Sequence, residues 1–253
     1  MYKTIFLALL SIVLCACAPT TGKKIQTNLN AEELFAQYAQ PQPNQPYAAN
    51  LSLRIGRKGD TRRITALLWG NDASTIRLDI QAGVGATLAK IFVDPNHFLL
   101  LDPLHNKAYT HQGSEQPRLK IGIPLPLTLA NMADLINGRF VHVFGHDHNP
   151  GVATVDGVRY ALKGRFTGEI ELDNNARLIR WQENKNGHGW DLRLEYEAAK
   201  TPAKITLKNH RGEFAIIAVK EHSRVEPYSK EALTLTIPAS YTSLPLAQYT
   251  AQK

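Results

Sequence analysis

The sequence predicts a mainly β fold with two or so helices (α+β), built on a single curved antiparallel sheet. Three observations predict it. Leu51, Leu53 and Ile55 alternate with polar neighbours, as do Ile76, Leu78 and Ile80, which is the period-two pattern of half-buried strands. About a dozen such short runs follow one another, each bounded by Gly, Asn, Asp or Pro, the spacing of a meander of hairpins. Two stretches carry a helical period instead, one near the start and one in the middle. A sheet wrapped around an apolar interior is the economical way to bury so many one-sided strands.

The first residues read as a leader. Met1-Tyr-Lys3 precedes an apolar run from Ile5 to Leu14, too short for a bilayer span of about 20 residues. It has the form of a secretory signal peptide. Leu14-Cys-Ala-Cys17 then fits a bacterial lipobox, with Leu at −3, a small residue at −1 and Cys at +1. Cys17 is the expected site of lipidation, because Cys15 would have Leu14 at −1. Cys15 would leave with the leader, so no disulfide is expected. An ordinary signal peptide with incidental cysteines is the alternative. Ala18 at +2, in place of Asp, favours an outer-membrane, periplasm-facing location through the lipid anchor. The chain thus divides into a signal peptide (1–16), a polar tether (17–30), a β domain (31–225) and an apolar tail (226–253).

The formal net charge is +7. Arg54, Arg57, Lys58, Arg62 and Arg63 make the dense basic patch, without the aromatic interleaving of a nucleic-acid surface. Anionic lipid headgroups would suit it, and so would plain solvation.

Along the domain, Asn30-Ala-Glu-Glu33 forms a capping box that opens a helix from Ala31 to about Ala39. Leu34, Phe35 and Tyr38 share its apolar side. Pro41-Gln-Pro-Asn-Gln-Pro46 stops it and acts as a stiff connector. After the first strand come Ile64 to Trp69, Ile76 to Ile80, Ala86 to Val93, His97 to Leu101 and Lys107 to His111. The second series is Arg159 to Leu162, Glu169 to Leu172, Leu178 to Glu183, Trp190 to Tyr196, Ile205 to Lys208 and Glu213 to Val225. Asp173-Asn174 and Asn186-Gly187 supply turns. The tail, from Leu233 through Ile237 and Tyr241 to Leu246, is apolar enough to lie along the domain.

The chain is organised around the central stretch, Ile121 to Gly138. Pro124 and Pro126 hold its first half extended. Thr128 caps a short helix that Gly138 ends, and Leu129, Met132, Ala133 and Ile136 form its apolar face. Two turns are too few to stand alone, so the helix must lie on something apolar. It is either a core plug or a lid over a hydrophobic cavity.

Catalytic signatures are missing from the sequence: there is no Gly-x-Ser-x-Gly, His-Glu-x-x-His or paired Cys motif. Gly83-Val-Gly85 lacks the third glycine of a nucleotide loop. His142, His146 and His148 with Asp147 could surround a divalent ion, but a Gly/Asn/Pro loop of this kind is more often a solvated turn. No enzyme activity, cofactor, metal or nucleic acid is expected.

Three segments resemble the LolB/LolA outer-membrane lipoprotein carriers. They are Thr75 to Ala89, Gly122-Ile-Pro-Leu-Pro-Leu-Thr-Leu129 through Gly138, and Lys200 to Asn209 with Glu213-Phe-Ala-Ile-Ile217. With the lipobox and first helix, the likeness runs through most of residues 31 to 222. The resemblance implies an unclosed β-barrel with a helical lid over a cavity for acyl chains. It raises the lid reading above the plug, with Leu125, Leu127, Leu129, Met132 and Ile136 facing the cavity and Trp69, Leu78 and Ile80 opposite. It implies acylated lipoproteins or lipids as partners, with a periplasmic LolA-type carrier, and the expected state is a monomer. Where LolB carries an exposed loop leucine, this chain has the smaller Val84 between two glycines, which the resemblance makes the candidate membrane-contact residue; a hairpin-tip valine folded back on its own strand is the alternative. The His-rich loop and the tail from Glu226 have no LolB counterpart. A carrier of acylated ligands and a structural or sensor lipoprotein both remain open.

Overall fold

The computed structural model describes residues 30–249, apart from 84, 114, 121–123, 165, 184–187 and 198–200. Helix α1 (Ala31–Tyr38) starts at the foreseen capping box: Asn30 Oδ1 accepts from the Glu33 amide, and the Glu33 carboxylate accepts from the Asn30 amide. Leu34, Phe35 and Tyr38 are buried.

Strands β1 (Tyr47–Arg57), β2 (Asp60–Gly70), β3 (Ile76–Gln81), β4 (Thr87–Val93), β5 (His97–Asp102) and β6 (Lys107–Gln112) form one antiparallel meander. A small hairpin of β7 (Arg118–Lys120) and β8 (Pro124–Thr128) stands apart from the main sheet. It leads into α2 (Leu129–Ile136) and α3 (Phe140–Phe144). The second series is β9 (Val152–Ala153), β10 (Val158–Leu162), β11 (Gly168–Leu172), β12 (Leu178–Glu183), β13 (Trp190–Glu195), β14 (Lys204–Asn209) and β15 (Phe214–Arg224). The two series join where β1 pairs with β15, Leu53 opposite Ile217. With β16 (Thr242–Pro245) at one edge, a single 14-stranded sheet results, in the order β16-β6-β5-β4-β3-β2-β1-β15-β14-β13-β12-β11-β10-β9. Its end strands do not pair with each other, so the curved sheet stays open.

Alternation along the strands decides the faces. Tyr47, Ala49, Leu51, Leu53 and Ile55 of β1 all enter the main core, as do Ile76, Leu78 and Ile80 of β3. β5 differs, since Phe98 to Leu101 are all buried. Phe98 and Leu100 face the main core, while Leu99 and Leu101 belong to a second cluster on the opposite face. The chain's last segment covers that outer face. Asn71 and the Tyr228 backbone exchange hydrogen bonds of 2.9 and 2.8 Å, and the short helix α4 (Lys230–Leu233) buries Leu233 beside Phe92, Leu99 and Leu101. Strand β16 (Thr242–Pro245) then pairs in parallel with β6, which protects that sheet edge. Past the edge, the 3₁₀ turn Leu246–Gln248 and Tyr249 return to the main core. The tail therefore wraps the sheet from outside to inside.

Inside, α2 and α3 fill the interior. Thr128 and Asn131 form a capping box at the start of α2. The helix ends in a Schellman turn, with the Gly138 and Arg139 amides donating to Leu135 and Asp134 carbonyls at 3.2 and 2.8 Å. Gly138 sits at φ 76°, the left-handed conformation that glycine adopts without steric cost. Helix α3 has no counterpart in the sequence reading. Its Phe144 packs 5.4 Å from the Trp181 ring and 5.6 Å from Phe166, tying the helices to the far wing of the sheet.

Candidate functional site

The concave face of β3–β6 does not close against the helices everywhere. Ile80 lies opposite Ala89, Ile91 opposite Leu100, and Phe98 opposite His111. Between these side chains and the C-terminal turn lies a cavity of about 360 Å³. Ile80, Ala89, Ile91, Phe98 and Leu100 form its floor, and Leu246, Ala247 and Tyr249 form its roof. His111, Pro117 and Arg118 stand at the side from which β7 departs.

The roof is held by specific contacts. The Tyr249 ring meets Tyr109 edge-on at 5.0 Å, and burial pushes the Tyr249 phenol up from its ordinary pKa, with the negative charge of Asp102 adding to the effect. The Thr242 amide donates to the Asn106 carbonyl at 2.9 Å, fixing the start of β16. At the mouth, His111 Nε2 lies 3.0 Å from the Glu115 carbonyl, so that nitrogen carries the proton and donates. The described lining residues make an apolar slot with a cation beside it.

The sequence-selected residues separate. Leu125, Leu127, Leu129, Met132, Ile136, Leu78 and Ile80 share the main core, and of these Ile80 borders the cavity described above. Trp69 corrects the expectation. It follows Leu68 in β2, so its side chain leaves by the outer face, where Tyr228, Leu235, Ile237 and Tyr241 pack on the same cluster. Arg77 stacks there at 5.2 Å from the Trp69 ring. Cys17 and Val84 lie outside the described residues.

Helix α2 fills space rather than roofing it. Met132 is 1% exposed, and Ala133, Leu135 and Ile136 are fully buried. Asp134 and Arg139 are buried as well, with Asp134 Oδ1 2.7 Å from Arg139 Nε. Burial pushes the Asp134 carboxyl above its usual range, and Arg139 offsets part of that. Arg139 also donates to the Asn44 side chain. These contacts fasten the helix pair to the connector before β1.

The three loop histidines do not converge. His148 stacks on Phe35 at 3.6 Å and meets Tyr160 edge-on. His142 sits on α3, 3.8 Å from Asp134, and His146 is exposed beside Asp147. No group of three or more His, Cys, Asp or Glu able to hold a metal occurs among the described residues. No helix among them is long and apolar enough to cross a membrane.

Apart from Ile80, the sequence reading missed the residues of the cavity's floor and roof. A signal existed for the floor: four consecutive apolar residues, Phe98 to Leu101, mark a strand buried on both faces. Nothing local marked Leu246 and Tyr249, whose placement depends on the tail rounding the sheet edge.

No family model and no curated protein matches the sequence. Solved structures do match in fold. A LolA superfamily protein from Nitrosomonas europaea aligns with a TM-score of 0.55 at 11% identity, covering 82% of this chain and 98% of that one. A DUF1329 family protein from Desulfovibrio piger gives 0.55 at 11%, over 81% and 98%. A domain from Vibrio parahaemolyticus, named for outer membrane lipoprotein sorting, gives 0.54 at 8%, over 80% and 94%. At these identities the likeness is one of architecture: the chain has a LolA/LolB-like fold, an open curved sheet with helices in its hollow.

Proposed function

We propose that this protein binds acyl chains of lipids or lipoproteins in the cavity between β3–β6 and the C-terminal turn. Anchored to the outer membrane through a lipidated Cys17, it helps receive or insert them there, with a periplasmic LolA-type carrier as a candidate donor. The observation that carries this reading is the apolar slot of about 360 Å³ in the hollow of a LolA/LolB-like sheet. That volume falls within the ligand-pocket range of about 300–1,000 Å³. The lipobox supports the location, and Val84 at the glycine-flanked β3–β4 tip is the proposed membrane-contact residue.

Native mass spectrometry of a chain beginning at residue 18, which retains the whole described fold, tests the cavity. Co-purified or added lipid should travel with the protein at a defined stoichiometry. A folded protein that carries no lipid and accepts none would overturn the carrier reading. It would leave a structural or sensor lipoprotein, which the tightly filled space around α2 favours. For the anchor, Cys17→Ala should move the protein from the outer-membrane fraction into the soluble periplasm. Retention after a high-salt wash, which screens surface charge, would remove that claim.

A further inference from the structure

We propose that the cavity selects single-chain amphiphiles with an anionic head, and that Arg118 makes the head-group contact. The inference rests on the acyl-binding reading above and narrows its ligand class. Among the described lining residues, Arg118 carries the permanent charge, while the floor is formed by Ile80, Ala89, Ile91, Phe98 and Leu100. Arg118 is exposed and pairs with no carboxylate among the described residues. The protein's other ion pairs use up arginines elsewhere, such as Arg57 on Glu213 and Arg180 on Asp191. His111 already spends its Nε2 proton on the Glu115 carbonyl, which leaves the guanidinium as the charged donor among the described residues at this mouth. A guanidinium presents two parallel N–H groups, which match the paired oxygens of a carboxylate or phosphate. An apolar slot ending at such a fork fits a molecule with one hydrocarbon chain and one acidic end.

Size points the same way. A volume of about 360 Å³ lies at the small end of ligand pockets. A single chain suits it better than the several chains of a lipoprotein anchor, whose glyceryl-cysteine head bears no acidic group. The shared chemistry is an oxyanion on an acyl chain, and it has two sources, a free fatty acid and a lysophospholipid.

The test uses the chain beginning at residue 18 and three probes. They are the fluorescent fatty acid cis-parinaric acid, palmitoyl lysophosphatidylglycerol and neutral monopalmitoylglycerol, the last two read by displacement of the first. One or both of the acidic probes should bind about tenfold more tightly than the neutral one, the scale of one charge-assisted contact. Which acidic probe binds more tightly identifies the source. Arg118→Ala should remove that advantage and leave monopalmitoylglycerol unchanged, while Arg118→Lys restores part of it. The side chain is exposed, so the melting temperature should hold in both variants. Equal affinity for all three probes, or an Arg118→Ala loss spread evenly over them, would overturn the selection while leaving acyl binding in place. Failure of every probe to bind the unmodified chain would overturn both.

Discussion

His222 Nε2 lies 3.0 Å from Asn137 Oδ1, joining strand β15 to the residue that caps α2. Asn137 Nδ2 donates to the Ala133 carbonyl at 2.8 Å, which orients the amide so that Oδ1 faces the imidazole. The imidazole must therefore donate from Nε2. Burial holds the His222 pKa below its ordinary value, and the nearby Arg224 charge lowers it further. The unfolded chain consequently binds a proton there more readily than the folded one. Between the ordinary pKa of about 6.5 and the lower folded value, stability rises with pH and falls on acidification. His222→Gln should flatten that part of the stability–pH curve, as measured by urea unfolding at a series of pH values. An unchanged slope would show that His222 titrates alike in both states.

The buried pair of Asp134 and Arg139 gives a second expectation. Removing one partner of such a pair costs about 3–5 kcal/mol, because the other charge stays buried and uncompensated. Arg139→Ala should therefore unfold at markedly lower urea concentration. Asp134→Leu combined with Arg139→Met should recover most of the loss, since apolar residues of similar volume often replace a buried pair without penalty. A double variant as unstable as Arg139→Ala would mean that the contact with Asn44, not the pair, holds the turn.

What could be read from the sequence follows the range of the interactions. The caps at Asn30 and Thr128 and the stop at Gly138 depend on residues three to ten apart, so α1 and α2 were legible to within a residue. Strand alternation placed Leu78 and Ile80 inward for the same reason. Trp69 misled because its outer-face position at the end of β2 is half-buried, covered by a segment more than 150 residues away, at Tyr228. Helix α3 was hidden in Phe140-Val-His-Val-Phe144, whose β-branched and aromatic residues favour strand and whose helical form depends on packing against Trp181. The choice between plug and lid turned on volume, which periodicity does not encode.

Helix α2 accordingly should behave as core. Its amides in residues 129 to 136 are expected to exchange slowly and to be insensitive to added acyl ligand, whereas those of 242 to 249 should slow when the cavity fills. Hydrogen exchange read by mass spectrometry separates the two segments. Fast exchange in 129 to 136 that slows with ligand would restore the hinged lid.

The tail's outer half adds stability independently of the cavity. Leu233 is buried on Phe92, Leu99 and Leu101, and Leu→Ala at such a site costs about 2–5 kcal/mol. The lower end is expected here, because a four-residue helix on the surface can settle into the space. Leu233→Ala should lower the urea midpoint without weakening ligand binding. Coupled loss of both would mean that the strap transmits outer-face packing to the roof at Leu246 and Tyr249.

Filling the cavity from its floor provides the sharpest test of where ligand sits. Leu100 is buried, borders the cavity and lies opposite both Ile91 and Tyr109 in the sheet. Enlarging a side chain in a close-packed core forces strain worth about 1–3 kcal/mol, but one that grows into vacant space gains contacts instead. Leu100→Trp should therefore leave stability within about 1 kcal/mol of the unmodified chain, by the volume-tolerance argument. The indole would also occupy the space an acyl chain needs, so cis-parinaric acid binding should fall at least tenfold. Leu127→Trp is the matched control, because Leu127 is fully buried in the same core away from the described lining. It should destabilise the fold. If Leu100→Trp instead destabilises as much as the control, the floor is already filled. If it folds well and binds ligand unchanged, the acyl chain sits elsewhere.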